Sequence, residues 1–216
     1  MRILISGAGG LVGRILSRGL SAAGHHITPL VRRVPGVEPA PGAAWWDPEA
    51  GELDPGGLAG HRAVIHLAGE NIAAGRWTAA RKRRIMESRV RGTGLIAGAL
   101  ARLEEPPRTL ISASAVGFYG NRTPEERLTE EAPSGTGFLA GVCRRWEEAA
   151  GEAAAAGTRV VCLRLGVVLH PKDGALARML PPFRLGLGGP LGHGRQMMSW
   201  IAADELPSLV SHLLSA

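Results

Sequence analysis

Three glycines spaced three apart, Gly7, Gly10 and Gly13, follow directly on the apolar run Arg2-Ile3-Leu4-Ile5-Ser6 and open a helix-patterned stretch. Glycine permits a tight turn out of a strand and lets the main chain approach a ligand with no Cβ in between. A helix that starts at such a turn presents unpaired N–H groups, which suit an anion such as a pyrophosphate. The register is G-x-x-G-x-x-G. The stricter G-x-G-x-x-G fails because its sixth position is Val12. Glycine-rich runs are often only loops, so placement decides. This one leaves the first strand of the chain and enters an amphipathic helix, as a dinucleotide cradle requires.

Arg32 and Arg33 end the second apolar run, about 20 residues past the glycines, where an NAD site places a carboxylate for the ribose hydroxyls. Two guanidiniums there suit the 2′-phosphate of NADP through charge-assisted, forked hydrogen bonds. The alternative is that both are solvated loop residues. NADP(H) is therefore the expected cofactor, and no metal site is expected.

The elements that hold these residues follow from hydrophobic periodicity. Leu11, Ile15, Leu16 and Leu20 keep helical spacing, with Gly24 placed to end the helix. Residues 26–31 and 63–67 read as strands, Trp45-Trp46 as part of a short one, and residues 35–42 as a Pro/Gly-rich loop. A long helix is expected over 78–103, a strand over 109–112, a loop over 114–120, an alanine-rich helix over 138–156 and a strand over 159–165. Alternating strands and helices predict an α/β fold, a doubly wound Rossmann-like parallel sheet with helices on both faces. Residues 1–170 form the expected NADP-binding domain, and 171–216 a partial substrate-side region packed on it.

Composition narrows the function further. The chain has 216 residues, enough for one domain with a continuous core, and its 45% apolar and 20% charged content is that of a soluble globular protein. No apolar run reaches the roughly 18 residues of a membrane span, and the amino terminus reads as a strand and not a signal peptide. The net charge of +6 invites a nucleic-acid reading. However, Arg81-Lys82-Arg83-Arg84 falls in a helical segment with apolar positions Ile85, Met86, Val90 and Leu95, which predicts a solvated face with some arginines turned to an anionic cofactor. Arginine excess over lysine, with only Lys82 and Lys172 present, accounts for the basicity as a compositional bias, and few aromatics are available for base stacking. Cys143 and Cys162 lack metal-ligand spacing and read as buried thiols of a cytoplasmic protein. A small-molecule substrate is expected, with neither nucleic acid nor membrane as partner. The oligomeric state is not set by the sequence.

Several runs carry a resemblance. These are Ile65-His66-Leu67-Ala68-Gly69-Glu70-Asn71-Ile72, Arg76-Trp77-Thr78, Ser88-Arg89-Val90, the stretch Ser112-Ala113-Ser114-Ala115-Val116-Gly117-Phe118-Tyr119-Gly120, and the stretch Met179-Leu180-Pro181-Pro182-Phe183-Arg184-Leu185-Gly186-Leu187-Gly188-Gly189-Pro190. The chain resembles the extended, epimerase-like short-chain dehydrogenase/reductases, and within them the epimerase family proteins of the NAD-dependent epimerase/dehydratase family. The resemblance implies that Gly7, Gly10, Leu11 and Gly13 meet the pyrophosphate, and Arg32 and Arg33 the adenosine phosphate. It implies further that Leu67, Ala68 and Gly69 pass beneath adenine and ribose, that Arg84 and Arg89 face the cofactor, and that Val168 lies beside the nicotinamide. Ser114 matches the serine that hydrogen-bonds the reacting oxygen.

The departures bear on chemistry. The superfamily's Tyr-x-x-x-Lys is absent, since the matching helix begins Phe138-Leu139-Ala140-Gly141-Val142 and the only tyrosine is Tyr119. Tyr119 is then either a substitute acid/base or a ring packed over the nicotinamide pocket. Ala202 stands where the subgroup has histidine, and the chain stops at Ala216 where similar proteins continue. An NADP(H)-dependent oxidoreductase or epimerase-like enzyme for a small carbonyl or hydroxyl compound is the leading expectation. A non-catalytic NADPH-binding module is the alternative. Hydrolysis through Ser114, His193 and Asp204 fits poorly, because Ser114 lacks a G-x-S-x-G elbow.

Overall fold

In the computed structural model, which describes residues 1–216 apart from Pro55, Pro124 and Leu191, the apolar runs pair as a seven-stranded sheet. Its strands are β1 (Arg2–Ser6), β2 (His26–Arg32), β3 (Ala44–Asp47), β4 (Glu52–Leu53), β5 (Ala63–His66), β6 (Thr109–Ala115) and β7 (Arg159–Leu165), in the order β4-β3-β2-β1-β5-β6-β7. Every pairing is parallel except that of β4 with β3. Strand order reverses between β1 and β5, and a crevice opens there at the carboxyl ends of the strands.

Strand alternation assigns each face its helices. Ile3, Ile5, Ile65 and Ile111 point to one side, where they meet Leu16 and Leu20 of α1 (Leu11–Ala22) and Leu206 and Val210 of the last helix, Leu206–Ser215. Leu4, Val64 and Leu110 point to the other. There they meet Ile96 and Leu100 of α2 (Ala79–Leu100) and Ala150 of α3 (Phe138–Gly151). Residues buried on both faces explain why these strands read as unbroken apolar runs.

Most expected elements are present, and the differences have local causes. The long helix starts one residue late because the Thr78 hydroxyl caps it, accepting from Arg81 N at 3.3 Å. It stops at Leu100, since Arg102 and Leu103 bond back to Ala99 and Leu100 as a tighter turn. The alanine-rich helix likewise gives way to a 3₁₀ turn over Glu152–Ala156 before Gly157 at φ +81°. Strand β4 has no periodic signal. It is a two-residue return arm, set by Asp47 Oδ1 accepting from Glu49 N at 2.9 Å and Ala50 N at 3.1 Å. The basic face on α2 also needs correction: Arg81 is buried, whereas Lys82, Arg83 and Arg84 are exposed. Cys143 is buried, but Cys162 only half-buried.

Beyond β7, strands β8 (Val167–His170) and β9 (Trp200–Ala202) form a small parallel pair. Helix α4 (Gly174–Arg184) lies between them in sequence, and α5 is the Leu206–Ser215 helix already met. Because α5 places Leu206 and Val210 against β1 and α1, Leu206→Ala is expected to lower unfolding free energy by about 2–5 kcal/mol. Chemical denaturation checks this. A loss under about 1 kcal/mol would mean that the final helix is not part of this core.

Candidate active site

The crevice holds a cavity of about 510 Å³ lined by Gly7, Ala8, Gly9, Gly10, Leu30, Val31, Arg32, Trp46, Leu67, Ala68, Gly69 and Glu70. Its floor is bare backbone in tight contact. A Cβ on Gly7 (φ +70°) would lie 2.9 Å from Ala68 N, and one on Gly13 would lie 2.2 Å from the Gly7 carbonyl oxygen. The turn closes by Gly10 N donating to Gly7 O at 3.0 Å, and the first helical bond runs from Arg14 N to Gly10 O at 2.9 Å. Gly10 caps α1 with no side-chain hydrogen bond, so the first amides of the helix remain available to an anion. A dinucleotide fits this arrangement, because the turn admits no side chain at Gly7 or Gly13 and offers N–H donors and a helix dipole.

Ser6 and His66 brace the floor. The Ser6 hydroxyl accepts from Leu67 N at 3.2 Å and Ala68 N at 3.4 Å, so its own proton goes to His66 Nδ1, 2.6 Å away. His66 is therefore neutral, with the ring proton on Nε2, and that atom has no hydrogen-bond partner. Burial pushes its pKa down to about 4. One hydroxyl thus ties the end of β1 to the backbone leaving β5, where Gly7 and Ala68 touch.

The expected cofactor residues separate into groups. Gly7, Gly10, Arg32, Leu67, Ala68 and Gly69 line the cavity. Leu11 and Gly13 stand directly behind them in the first turn of α1. Arg32 is exposed and reaches Glu49 only at 3.9 Å. Arg33 turns away from the cavity, donating to Glu52 at 2.8 Å and lying over the Trp45 ring at 4.4 Å. Arg84 is exposed and outside the lining. Arg89 lies under Gly69, donates to Glu70 O at 3.0 Å and stacks on Trp146 at 4.9 Å. Burial lowers its pKa. Val168 is in β8, packed on the cluster that contains Leu16 and Leu206.

Ser114 and Tyr119 belong to a second constellation at the carboxyl ends of β6 and β7. Ser114 is 4% exposed and donates to Glu147 Oε1 at 2.6 Å. Arg164, the register partner of Ser114, donates to the same carboxylate through Nε at 2.9 Å and Nη2 at 2.8 Å. Its Nη1 reaches the Tyr119 hydroxyl at 3.0 Å and the Glu130 carbonyl at 2.9 Å, with the guanidinium 3.6 Å above the Phe118 ring centroid. Ion pairing with Glu147 raises the Arg164 pKa, so it is a permanent cation. Burial raises Cys143 nearby and pushes Cys162 up to about 11, leaving both thiols protonated. Ser114 contacts neither His193 nor Asp204 in its hydrogen bonding; its partner is a glutamate.

Four functional candidates had no separate signal in the sequence. Glu147 and Arg164 sit in helix and strand patterns that any surface charge would satisfy. Arg14 donates to the Gly9 carbonyl and pairs with Asp173 at 2.5 Å, joining α1 to the cap of α4. Buried Arg81 pairs with Glu70 at 3.4 Å and donates to the Asn71 carbonyl. Among the described residues no cluster of His, Cys, Asp or Glu is placed to hold a metal ion, and no helix is long and apolar enough to cross a membrane.

Fold and cradle define a dinucleotide-binding Rossmann protein. The profile of the NAD dependent epimerase/dehydratase family matches residues 3–216, and the chain belongs to that family. It is 44% identical over 203 residues to the epimerase family protein Mb2239 of Mycobacterium bovis, covering 94% of this chain and 65% of that protein, so the chain spans about two-thirds of this relative's length. The crystal structure of human epimerase family protein SDR39U1 (isoform 2) with NADPH superimposes with a TM-score of 0.88 at 35% identity, over all of this chain and 70% of the human one. The nucleoside-diphosphate sugar epimerase of Corynebacterium glutamicum gives a TM-score of 0.82 at 40% identity, over 99% of this chain and 43% of that one.

Two outcomes test this geometry. Gly13→Ala should destabilise the fold by about 1–3 kcal/mol, because the new methyl meets backbone that cannot yield. Gly9→Ala, with nothing within 4 Å, should leave stability unchanged. Equal melting temperatures for the two variants would refute the close-packed floor. His66 provides the second test. Its folded pKa of about 4 lies below the unfolded 6.5, so the unfolded chain binds the proton first. Stability is then full above pH 6.5 and falls by about 3 kcal/mol as the pH drops to 4. Urea melts across that window should lose this component in His66→Phe.

Proposed function

We propose that this chain carries the coenzyme site of an NADP(H)-dependent oxidoreductase or epimerase-like enzyme acting on a small carbonyl or hydroxyl compound, nucleotide sugars being one candidate class. The carrying observation is the side-chain-free cradle at the uncapped end of α1, with Arg32 on its adenosine side. The NADPH named for the human SDR39U1 structure supports the same coenzyme here. Gly7, Gly10, Leu11 and Gly13 hold the pyrophosphate, and Leu67 to Gly69 underlie the adenosine half. Arg32 reads the 2′-phosphate, Arg33 adds charge from one position farther out, and Arg84 and Arg89 contribute to the field on the α2 side. Val168 borders the nicotinamide, which when bound supplies or accepts a hydride. Tyr119 faces the reacting oxygen, and Ser114 stands behind it on Glu147.

Residues 1–170 form the coenzyme part of this reading and 171–216 the substrate side, with α5 returning to the coenzyme core. Free, unpaired Cys143 and Cys162 support a cytoplasmic setting. A second reading, NADPH binding without turnover, is favoured by one observation: the Ser114 hydroxyl is already committed to Glu147. Oxidation of NADPH across a carbonyl panel, lowered in Ser114→Ala, would exclude that reading.

Fluorescence titration tests the coenzyme assignment. Arg32→Ala should weaken NADPH by roughly 1–3 kcal/mol and leave NADH within about twofold. Arg33→Ala should cost less, since its guanidinium is engaged by Glu52 and Trp45. Equal losses for both coenzymes in Arg32→Ala would remove the 2′-phosphate role, and a wild type that does not bind NADPH would end the proposal.

A further inference from the structure

Every hydroxyl carries one proton, and the bonds around Glu147 settle where two of them point. Ser114 gives its proton to Glu147 at 2.6 Å and is almost wholly buried. Tyr119 is half-buried, and its oxygen receives Nη1 of Arg164 at 3.0 Å. Among the described residues the Tyr119 hydroxyl proton has no acceptor, so it is free for a ligand. Arg164 itself has little freedom. Two of its nitrogens are fixed by the Glu147 carboxylate, a third by the Glu130 carbonyl, and its flat face by Phe118. A fork bound in this way is aimed, in contrast to a flexible ammonium.

We infer that Tyr119 is the proton-donating catalytic residue of this site, with Arg164, Glu147 and Ser114 as positioning residues that orient it. The inference deepens the oxidoreductase reading above and rests on it. It also reverses the order that the family resemblance implies, in which serine touches the substrate and tyrosine is the open member. Ser114 anchors Oε1 of Glu147, Glu147 anchors Arg164, and Arg164 occupies a Tyr119 lone pair. The constellation adjoins the coenzyme cavity along α3, where Trp146, the neighbour of Glu147, stacks on Arg89, the arginine beneath Gly69.

The chemistry balances for a carbonyl substrate. Bound dihydronicotinamide supplies the hydride to carbon. As the carbonyl π pair moves onto oxygen, that oxygen takes the Tyr119 proton, and the phenolate left behind faces the Arg164 cation until water reprotonates it. In the oxidising direction the same phenolate accepts the proton of a substrate hydroxyl. The cation needed beside the phenol is thus delivered from β7, and no lysine on α3 is required.

Tyr119 is the only tyrosine in the chain, so it can be observed directly. Ring-labelled [¹³Cζ]tyrosine gives one NMR signal in coenzyme-free protein. Arg164→Met should move it, Arg164→Lys should move it less, and an unmoved signal in Arg164→Met overturns the assignment. NADPH-driven reduction of 9,10-phenanthrenequinone supplies the kinetic arm. Tyr119→Phe and Arg164→Met should each lower kcat by about 10²–10⁴-fold. KM and the NADPH Kd should stay within about threefold, and the double variant should be no slower than either single one. Arg164→Lys should recover roughly tenfold or more, and Ser114→Ala should fall less than Tyr119→Phe. Additive losses, or full turnover in Tyr119→Phe, overturn the assignment and leave the oxidoreductase reading standing. A wild type that binds NADPH and reduces no carbonyl overturns that reading, with a normal tyrosine signal separating the two failures. Where Arg164→Met does not fold, Tyr119→Phe and Arg164→Lys decide the matter.

Discussion

The contact on which the rest of the molecule depends is main chain against main chain. Gly7 meets Ala68, and Gly13 meets Gly7, at separations that leave no room for even one methyl group. Two parallel strands, β1 and β5, must therefore end at the same height and in fixed register. The pairing of Ser6 with His66 sets that height. The hydrogen bond between the same two side chains then holds the departing backbones together. A buried neutral histidine with an unpaired nitrogen is costly. The cost falls where the crevice must stay open and still be rigid.

From this floor the two helical faces take different work. The face carrying α1 and α5 is almost purely apolar, and its contribution is to press α1 onto the turn so that its amino end points across the crevice. The opposite face carries the polar chemistry. Arg81, Glu70 and Asn71 tie the loop after β5 to α2, Arg89 runs beneath Gly69 to Trp146, and Glu147 follows on the same helix with Ser114 and Arg164. Buried ion pairs are weak sources of stability because desolvation offsets much of their attraction. Here each one fixes the direction of a side chain or loop next to the cavity.

The sheet was legible because its strands are buried on both sides, and so was the cradle because only glycine can satisfy it. Residues 159–165 were read as a strand to the residue, and the helix over 138–156 changes type only in its last turn. Strand β4 was not legible, since two residues held by an Asp47 turn leave no period to detect. The small β8–β9 pair and α4 were not read as elements, for α4 carries Pro181 and Pro182 inside it and buries none of its residues. The site divides along the same line. Residues set by backbone geometry, such as Gly7 and Gly13, carry a local signal, whereas Glu147 and Arg164 meet only where α3 approaches β7, which no local pattern encodes.

Arginine makes the distinction sharpest. A net charge of +6 on a chain with two lysines has the appearance of a surface property. Yet the arginines nearest the crevice are used one at a time, in geometries that an ammonium would not reproduce. Arg164 makes a two-nitrogen contact with Glu147 while a third nitrogen serves Tyr119, Arg89 stacks on an indole, and Arg14 bridges the Gly9 carbonyl and Asp173. Planar, multiply donating cations can be held from several sides at once. Each therefore couples a loop beside the crevice to a rigid element. The basic composition of the chain and the order of its crevice are in this respect one feature, because positive charge that elsewhere stays solvated is here built into the frame around the cavity.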